Sequence, residues 1–102
     1  MERIEKIKEL LSQQPGDSFL RHALALEYIK IDDQRRARQV FEELLTQDPE
    51  YVGSYYHLAK LLEQLGEREQ AIKWYEKGLA QSKGKDQHAY NELLAAYEDL
   101  VY

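Results

Sequence analysis

The sequence predicts an all-α protein: an antiparallel helix-hairpin solenoid of six helices. Three observations carry this expectation. A step of thirty-four residues takes Leu24-Ala25 onto Leu58-Ala59, Ala37 onto Ala71, Phe41 onto Tyr75 and Leu45 onto Leu79. A period of this size marks a repeat whose unit is one supersecondary element unable to bury its apolar face alone. Within each period the apolar residues recur at helical spacing, and turn-forming residues interrupt them at regular intervals.

The elements follow in order. Ile4, Ile7, Leu10 and Leu11 stripe a leading helix, which Pro15-Gly16 ends. Asp17 or Ser18 can cap a second helix by accepting from its free amides, and Leu20, Leu24, Tyr28 and Ile31 give it an apolar side. Asp32-Asp33 breaks that pattern. A third helix runs from about Gln34 to Gln47, with Ala37, Phe41, Leu44 and Leu45 on one face, and stops near Asp48-Pro49. Tyr51, Tyr55, Leu58, Leu62 and Leu65 build the fourth, which Gly66 closes, and Ala71, Tyr75 and Leu79 line the fifth. After Lys83-Gly84-Lys85, a sixth carries Tyr90, Leu93, Leu94, Tyr97 and Val101, with one extra residue in the loop before it. Short loops require neighbouring helices to be antiparallel. Ala25, Ala37, Ala59, Ala71 and Gly78 are small where paired helices should approach closely.

The chain divides on this reading into a half-repeat at 1–15, repeats at 18–51 and 52–85, and a C-terminal capping helix at 86–102, all in one domain. With 43% hydrophobic and 32% charged residues and no long apolar run, no membrane span is expected. Residues 1–6 mix charges and lack the apolar core of a secretory signal, so a cytoplasmic location is the expectation. The absence of cysteine removes disulfides, thiolate zinc sites and cysteine nucleophiles. A net charge of −5 repels a phosphate backbone, so no nucleic-acid partner is expected.

Arg21-x-x-Leu24-Ala25-x-x-Tyr28, then Ala37-x-x-x-Phe41, then Pro49, resembles the tetratricopeptide repeat, whose pattern has an aromatic, Leu-Gly and Tyr, followed by Ala, Phe and Pro. Tyr55-x-x-Leu58-Ala59-x-x-Leu62 with Ala71-x-x-x-Tyr75 is a second copy. Tyr90-x-x-Leu93-Leu94-x-x-Tyr97 looks like the first half of a third, and the helix ending at Pro15 like the second half of an earlier one. Ala25 and Ala59 replace the usual glycine, Arg21 the tryptophan, and Lys83 stands where a proline is expected.

The resemblance implies a non-catalytic module whose first helices in each repeat line a concave face that binds a peptide. Helical spacing puts Phe19, His22, Ala23, Leu26, Ile29 and Lys30 on that face in the first repeat, and Tyr56, His57, Lys60, Glu63 and Gln64 in the second. The last helix adds His88, Asn91, Glu92, Ala95 and Asp99. Leu26 and Ile29 leave two readings open: an apolar partner surface, or packing under the leading helix. Chaperone-binding relatives hold a terminal carboxylate with Lys, Arg and Asn on this face, whereas the matching positions here are His22, Leu26, His57, His88 and Glu92. That clamp is absent. An apolar first third, a middle with Tyr56 and histidine, and an acidic last third with Glu92, Glu98 and Asp99 suit a partner segment with apolar anchors followed by basic residues.

Three histidines on one face invite a metal site. Zinc ligands must converge within about 2 Å of one point, while parallel helices stand roughly 10 Å apart, so neither metal nor other cofactor is expected. No phosphate-cradling glycine loop, nucleophile elbow or HExxH helix occurs, and the carboxylates lie among Lys and Arg at surface spacings, so no enzyme is expected. Most tyrosines fall on packing positions; Tyr56 is the exception, and Trp74 is expected at a helix-pair edge. The alternative function is self-association through the end helices, which carry Ile4, Ile7 and Leu11 at one end and Leu100, Val101 and Tyr102 at the other.

Overall fold

The computed structural model describes residues 2–102, and the described residues form six α-helices and no strand. These are α1 (Glu2–Gln13), α2 (Ser18–Lys30), α3 (Gln34–Gln47), α4 (Gly53–Gln64), α5 (Arg68–Ser82) and α6 (Gln87–Val101). They fall into two compact units, Met1–Asp48 and Pro49–Tyr102. In the first unit α2 packs against both α1 and α3; in the second α5 packs against α4 and α6, and α4 also touches α6. The architecture is the all-α, antiparallel helix-hairpin type that the period implies. Among the described residues no helix is long and apolar enough to cross a membrane.

The thirty-four-residue step is visible in the backbone itself. Asp32 and Gly66 occupy the left-handed region at φ 61° and φ 78°. At both places the helix end is closed by the same bonds: Asp32 N donates to Ile29 O and Gly66 N to Glu63 O, each at 3.0 Å. One residue on, Asp33 N reaches Tyr28 O at 2.8 Å and Glu67 N reaches Leu62 O at 2.9 Å. This pair of back-bonds satisfies carbonyls that a helix end leaves free, and the αL residue makes it fit. Aspartate tolerates that conformation where other side chains do not. The following helices start on aspartate caps where the sequence has them: Asp17 Oδ1 accepts from Leu20 N at 3.0 Å, Asp33 from Arg36 N at 3.2 Å and Asp86 from Ala89 N at 3.0 Å.

A second repeated bond explains the tolerance of arginine where the family has an aromatic. Tyr55 Oη donates to Pro49 O at 2.6 Å, and one period earlier Arg21 Nη2 donates to Pro15 O at 2.7 Å. The position requires a donor that reaches the proline carbonyl, and either side chain supplies it. Arg21 also donates to Gln47 Oε1 at 2.7 Å, and Ser18 Oγ to Asp48 Oδ2 at 2.6 Å, which tie α2 to the end of α3.

The small residues sit where expected. Ala25, Ala37, Ala59 and Ala71 are completely buried. At Gly78 a Cβ would lie 2.7 Å from Tyr55 Cβ and 2.9 Å from Leu93 Cδ1, so this glycine lets α5 lie against α4 and α6 at once. Phe41, Leu44, Leu58, Leu62, Tyr75 and Leu93 fill the cores. Three stripe residues depart from expectation: Leu10, Ile31 and Leu65 are exposed. Ile31 and Leu65 are the C-caps of α2 and α4, immediately before the αL residues that turn the chain away. Leu10 lies on a side of α1 that no described helix covers. In α6 only Leu93 and Ala96 are buried, while Tyr90, Leu94, Tyr97 and Val101 are half-buried. Leu61, outside the expected stripe, is buried.

Candidate functional site

In the first unit the candidate residues lie along α2, interleaved with the core residues Leu24, Ala25 and Tyr28 that fix the helix in place. Phe19, one residue into the helix, is 67% exposed, a large cost in unburied aromatic surface for a solitary side chain. His22, Leu26 and Ile29 are half-buried. The His22 ring meets the edge of Phe41 at 5.8 Å between centroids, so this imidazole is partly held by the core of its own unit. Lys30 is exposed and shares Glu27 with Arg3, at 3.4 Å and 3.0 Å.

The second unit brings α4 and α6 side by side. Tyr56, His57 and Lys60 on α4 are half-buried, whereas His88, Asn91, Glu92 and Asp99 on α6 are exposed. Lys60 Nζ lies 5.9 Å from the Tyr56 ring centroid and 3.8 Å from Glu63 Oε2. This cation is therefore drawn toward an aromatic face and a carboxylate of its own helix. Glu63 also accepts the hydroxyl hydrogen of Tyr75. Burial, first, and then the bond to Glu63 push the Tyr75 phenol far above its ordinary range, with Tyr56 and Asp99 adding to the effect. Burial pushes the His57 imidazole below 6.5, and the charge of Glu92 on α6 acts in the opposite direction. Glu92 of α6 thus lies within electrostatic reach of His57 on α4, and Asp99 of α6 within reach of Tyr75 on α5. Asn91 lies farther along and accepts from Gln87 Nε2 at 2.9 Å.

The structure thus gathers Tyr56, His57 and Lys60 on α4 with Glu92 of α6 in electrostatic reach, while Asp99 is linked to them through Tyr75, and His88 and Asn91 are exposed on α6. Phe19, His22, Leu26 and Ile29 belong to the other unit. Among the described residues no three His, Cys, Asp or Glu side chains converge as a metal would require. Trp74, expected at a helix-pair edge, is half-buried with its ring 6.1 Å from that of Tyr55, and Lys77 Nζ sits 4.4 Å from its centroid.

Sequence reasoning placed Tyr75 in the core and overlooked its hydroxyl. The signal was present in the repeat: Phe41 and Ile29 of the first copy become Tyr75 and Glu63 in the second, a coordinated change from an apolar pair to a hydrogen-bonded one. Glu63 is thereby fixed as a buttress between the core and the face, holding Lys60 from one side and Tyr75 from the other.

A tetratricopeptide repeat family model matches residues 28–97. The chain is 42% identical to a tetratricopeptide repeat domain protein from Salinibacter ruber, known from a solution structure, with a TM-score of 0.80 over 84% of this chain and 88% of that one. It superposes with a TM-score of 0.87 on the type III secretion translocator chaperone SycD of Yersinia enterocolitica, at 15% identity, covering 97% of this chain and 70% of that one. A TM-score of 0.85, again at 15% identity, relates it to the TPR2B domain of yeast Sti1 in its complex with pHsp70, over 95% of this chain and 78% of that one. The two distant likenesses establish the fold alone. No curated protein matches the chain.

Proposed function

Because the chain belongs to the tetratricopeptide repeat family, a family of non-catalytic helical scaffolds, we propose that it binds a peptide segment of a partner protein through the first helices of its repeats. The segment carries basic residues for the α4 and α6 surface of the second unit, and apolar residues for Phe19, Leu26 and Ile29 on α2. The observation that carries this reading is the disposition of charge in the second unit. In that unit the lysine of the face, Lys60, is engaged by Tyr56 and Glu63, while Glu92 and Asp99 present exposed carboxylates from a helix that contains no Lys or Arg. A partner cation gains from two carboxylates and an aromatic edge; a partner carboxylate meets repulsion. This disfavours the terminal-carboxylate recognition of chaperone-binding relatives.

The test is a titration of an apolar-basic peptide into the wild type and into the double variant Glu92→Lys with Asp99→Lys. Both side chains are exposed, so the fold is retained. Affinity falls at least tenfold in the variant, and the loss shrinks as salt is raised. Equal affinity for the two proteins sinks the acidic-surface proposal.

A further inference from the structure

The two repeats share a side-chain bond to a proline carbonyl but differ in what lies beside it. In the second unit Tyr55 Oη donates to Pro49 O, the Trp74 ring lies 6.1 Å from the Tyr55 ring, and Lys77 Nζ stands 4.4 Å from the indole centroid. One period earlier the same four places hold Arg21, Pro15, Val40 and Glu43. Arg21 donates to Pro15 O as Tyr55 does to Pro49 O, but Val40 has no ring to lay beside it. What remains in the first unit is a half-open hollow of about 280 Å³, lined by those four residues with Leu11, Ser12 and Leu24. Its walls come from α1, α2 and α3, so it lies between described helices and not at an outer end.

Size and lining restrict the occupant. A cavity of roughly 150 Å³ holds a benzene ring, and pockets for whole ligands run from about 300 Å³ upward. The hollow therefore suits one ring system rather than a complete metabolite. The Arg21 guanidinium donates in its own plane to Pro15 O and Gln47 Oε1, each at 2.7 Å, which fixes the side chain and leaves a flat cationic face for an aromatic ring. Leu11, Leu24 and Val40 supply apolar contact. Ser12 Oγ gives its hydrogen to Glu9 O at 2.6 Å, so its lone pairs are acceptors for an indole N–H. Glu43 is exposed and without an ion pair, whereas its neighbour Glu42 is taken by Arg38 at 3.2 Å.

We propose that this hollow is a docking site for a tryptophan side chain of a partner protein, on a segment that carries a lysine or arginine within one turn of that tryptophan. The second unit shows the form of the occupant, since its own Trp74 and Lys77 stand three residues apart at the counterpart place. A partner with the same spacing lays its ring against Arg21 and Leu24 and brings its cation to Glu43. An anionic neighbour meets Glu43 and is repelled. Helical spacing puts Arg21 and Leu24 on the opposite side of α2 from Phe19, Leu26 and Ile29, so the site is distinct from that peptide-binding face and stands without it.

The test is a methyl and amide NMR titration of the whole chain with acetyl-Trp-Ala-Ala-Lys-amide. Saturable shifts appear at Leu11, Leu24 and Val40 at millimolar peptide, and none saturates when alanine replaces the tryptophan of the peptide. Val40→Trp fills the hollow from within, as Trp74 does in the second unit; it abolishes these shifts and raises the urea midpoint, with circular dichroism checking the fold. Glu43→Lys leaves the hollow intact, weakens binding of the lysine peptide about threefold and strengthens that of a Trp-Ala-Ala-Glu counterpart by about the same factor. Indole alone binds more weakly than the lysine peptide. Shifts confined to Leu26 and Ile29, or undiminished binding to a folded Val40→Trp, overturn the proposal. So does an unchanged preference between the two peptides in Glu43→Lys, or indole that binds as tightly as the lysine peptide.

Discussion

Replacing Gly78 with alanine sets two effects of opposite sign against each other. Gly78 lies inside α5, where alanine is favoured over glycine by about 1 kcal/mol on propensity alone. The added methyl carbon, however, falls 2.7 Å from Tyr55 Cβ and 2.9 Å from both Tyr55 Cγ and Leu93 Cδ1. Carbon atoms in contact prefer roughly 3.5–4.0 Å, so about 1 Å must be found by moving α5 away from α4 and α6. Tyr55 Cβ is attached to backbone and cannot rotate away, and Tyr55 is anchored at its far end by the hydroxyl bond to Pro49 O. Overpacking of this kind costs about 1–3 kcal/mol, which outweighs the propensity gain, and the expected net loss is about 1 kcal/mol. The control is Gly53→Ala at the start of α4, where nothing lies within 4 Å of the new methyl group and stability rises by up to about 1 kcal/mol. Urea unfolding followed by circular dichroism reads both. A Gly78→Ala midpoint at or above wild type, alongside a raised Gly53→Ala midpoint, would refute the close approach of α5 to its two neighbours.

Three further outcomes follow from the same geometry. Gly66→Ala, at φ 78° with open space around it, loses about 1–2 kcal/mol through backbone strain alone, while Asp32→Gly, at the equivalent φ 61°, gains on the order of 0.5 kcal/mol; opposite shifts in urea midpoint check the repeated helix end. The folded-state pKa of Tyr75 is raised, so its neutral form is favoured by folding: the associated stability is complete below pH 10, its ordinary value, and declines as pH rises above it. Ultraviolet titration shows this phenol ionising after the exposed tyrosines, and Tyr75→Phe reduces the slope of stability against pH above 10. The folded-state pKa of His57 is depressed by burial, so stability is complete above 6.5 and falls as pH drops below it; in NMR titration His57 protonates below 6.5, and Glu92→Gln lowers its midpoint further. An unchanged His57 midpoint in Glu92→Gln contradicts the placement of α6 beside α4.

The helix positions were legible because three independent signals coincide at each boundary: apolar spacing, an aspartate or glycine at the turn, and the period. The bounds of α3, Gln34 and Gln47, are those the sequence suggests. Core membership was less legible at the ends of helices. Ile31 and Leu65 continue the apolar spacing and yet are exposed, because spacing alone does not reveal that an αL residue next in sequence turns the chain outward. For α6, the spacing names Tyr90, Leu94, Tyr97 and Val101 alongside Leu93, but a stripe is buried only if another helix covers it. For the candidate site, helical geometry indicated which residues share a side of α2, α4 or α6. Sequence alone did not reveal that Lys60 is held by Tyr56 and Glu63, since that depends on rotamers. The Tyr75–Glu63 bond was encoded as a paired change between repeats and is found by reading the two copies against each other rather than one at a time.

The most direct measurement of the binding surface is amide chemical-shift mapping of the labelled chain during titration with an apolar-basic peptide. The account predicts saturable shifts at Tyr56, His57, Lys60, Glu92 and Asp99 in the second unit and, in the first unit taken by itself, at Phe19, Leu26 and Ile29. Saturable shifts confined to α3 and α5, with these residues unmoved, would contradict it.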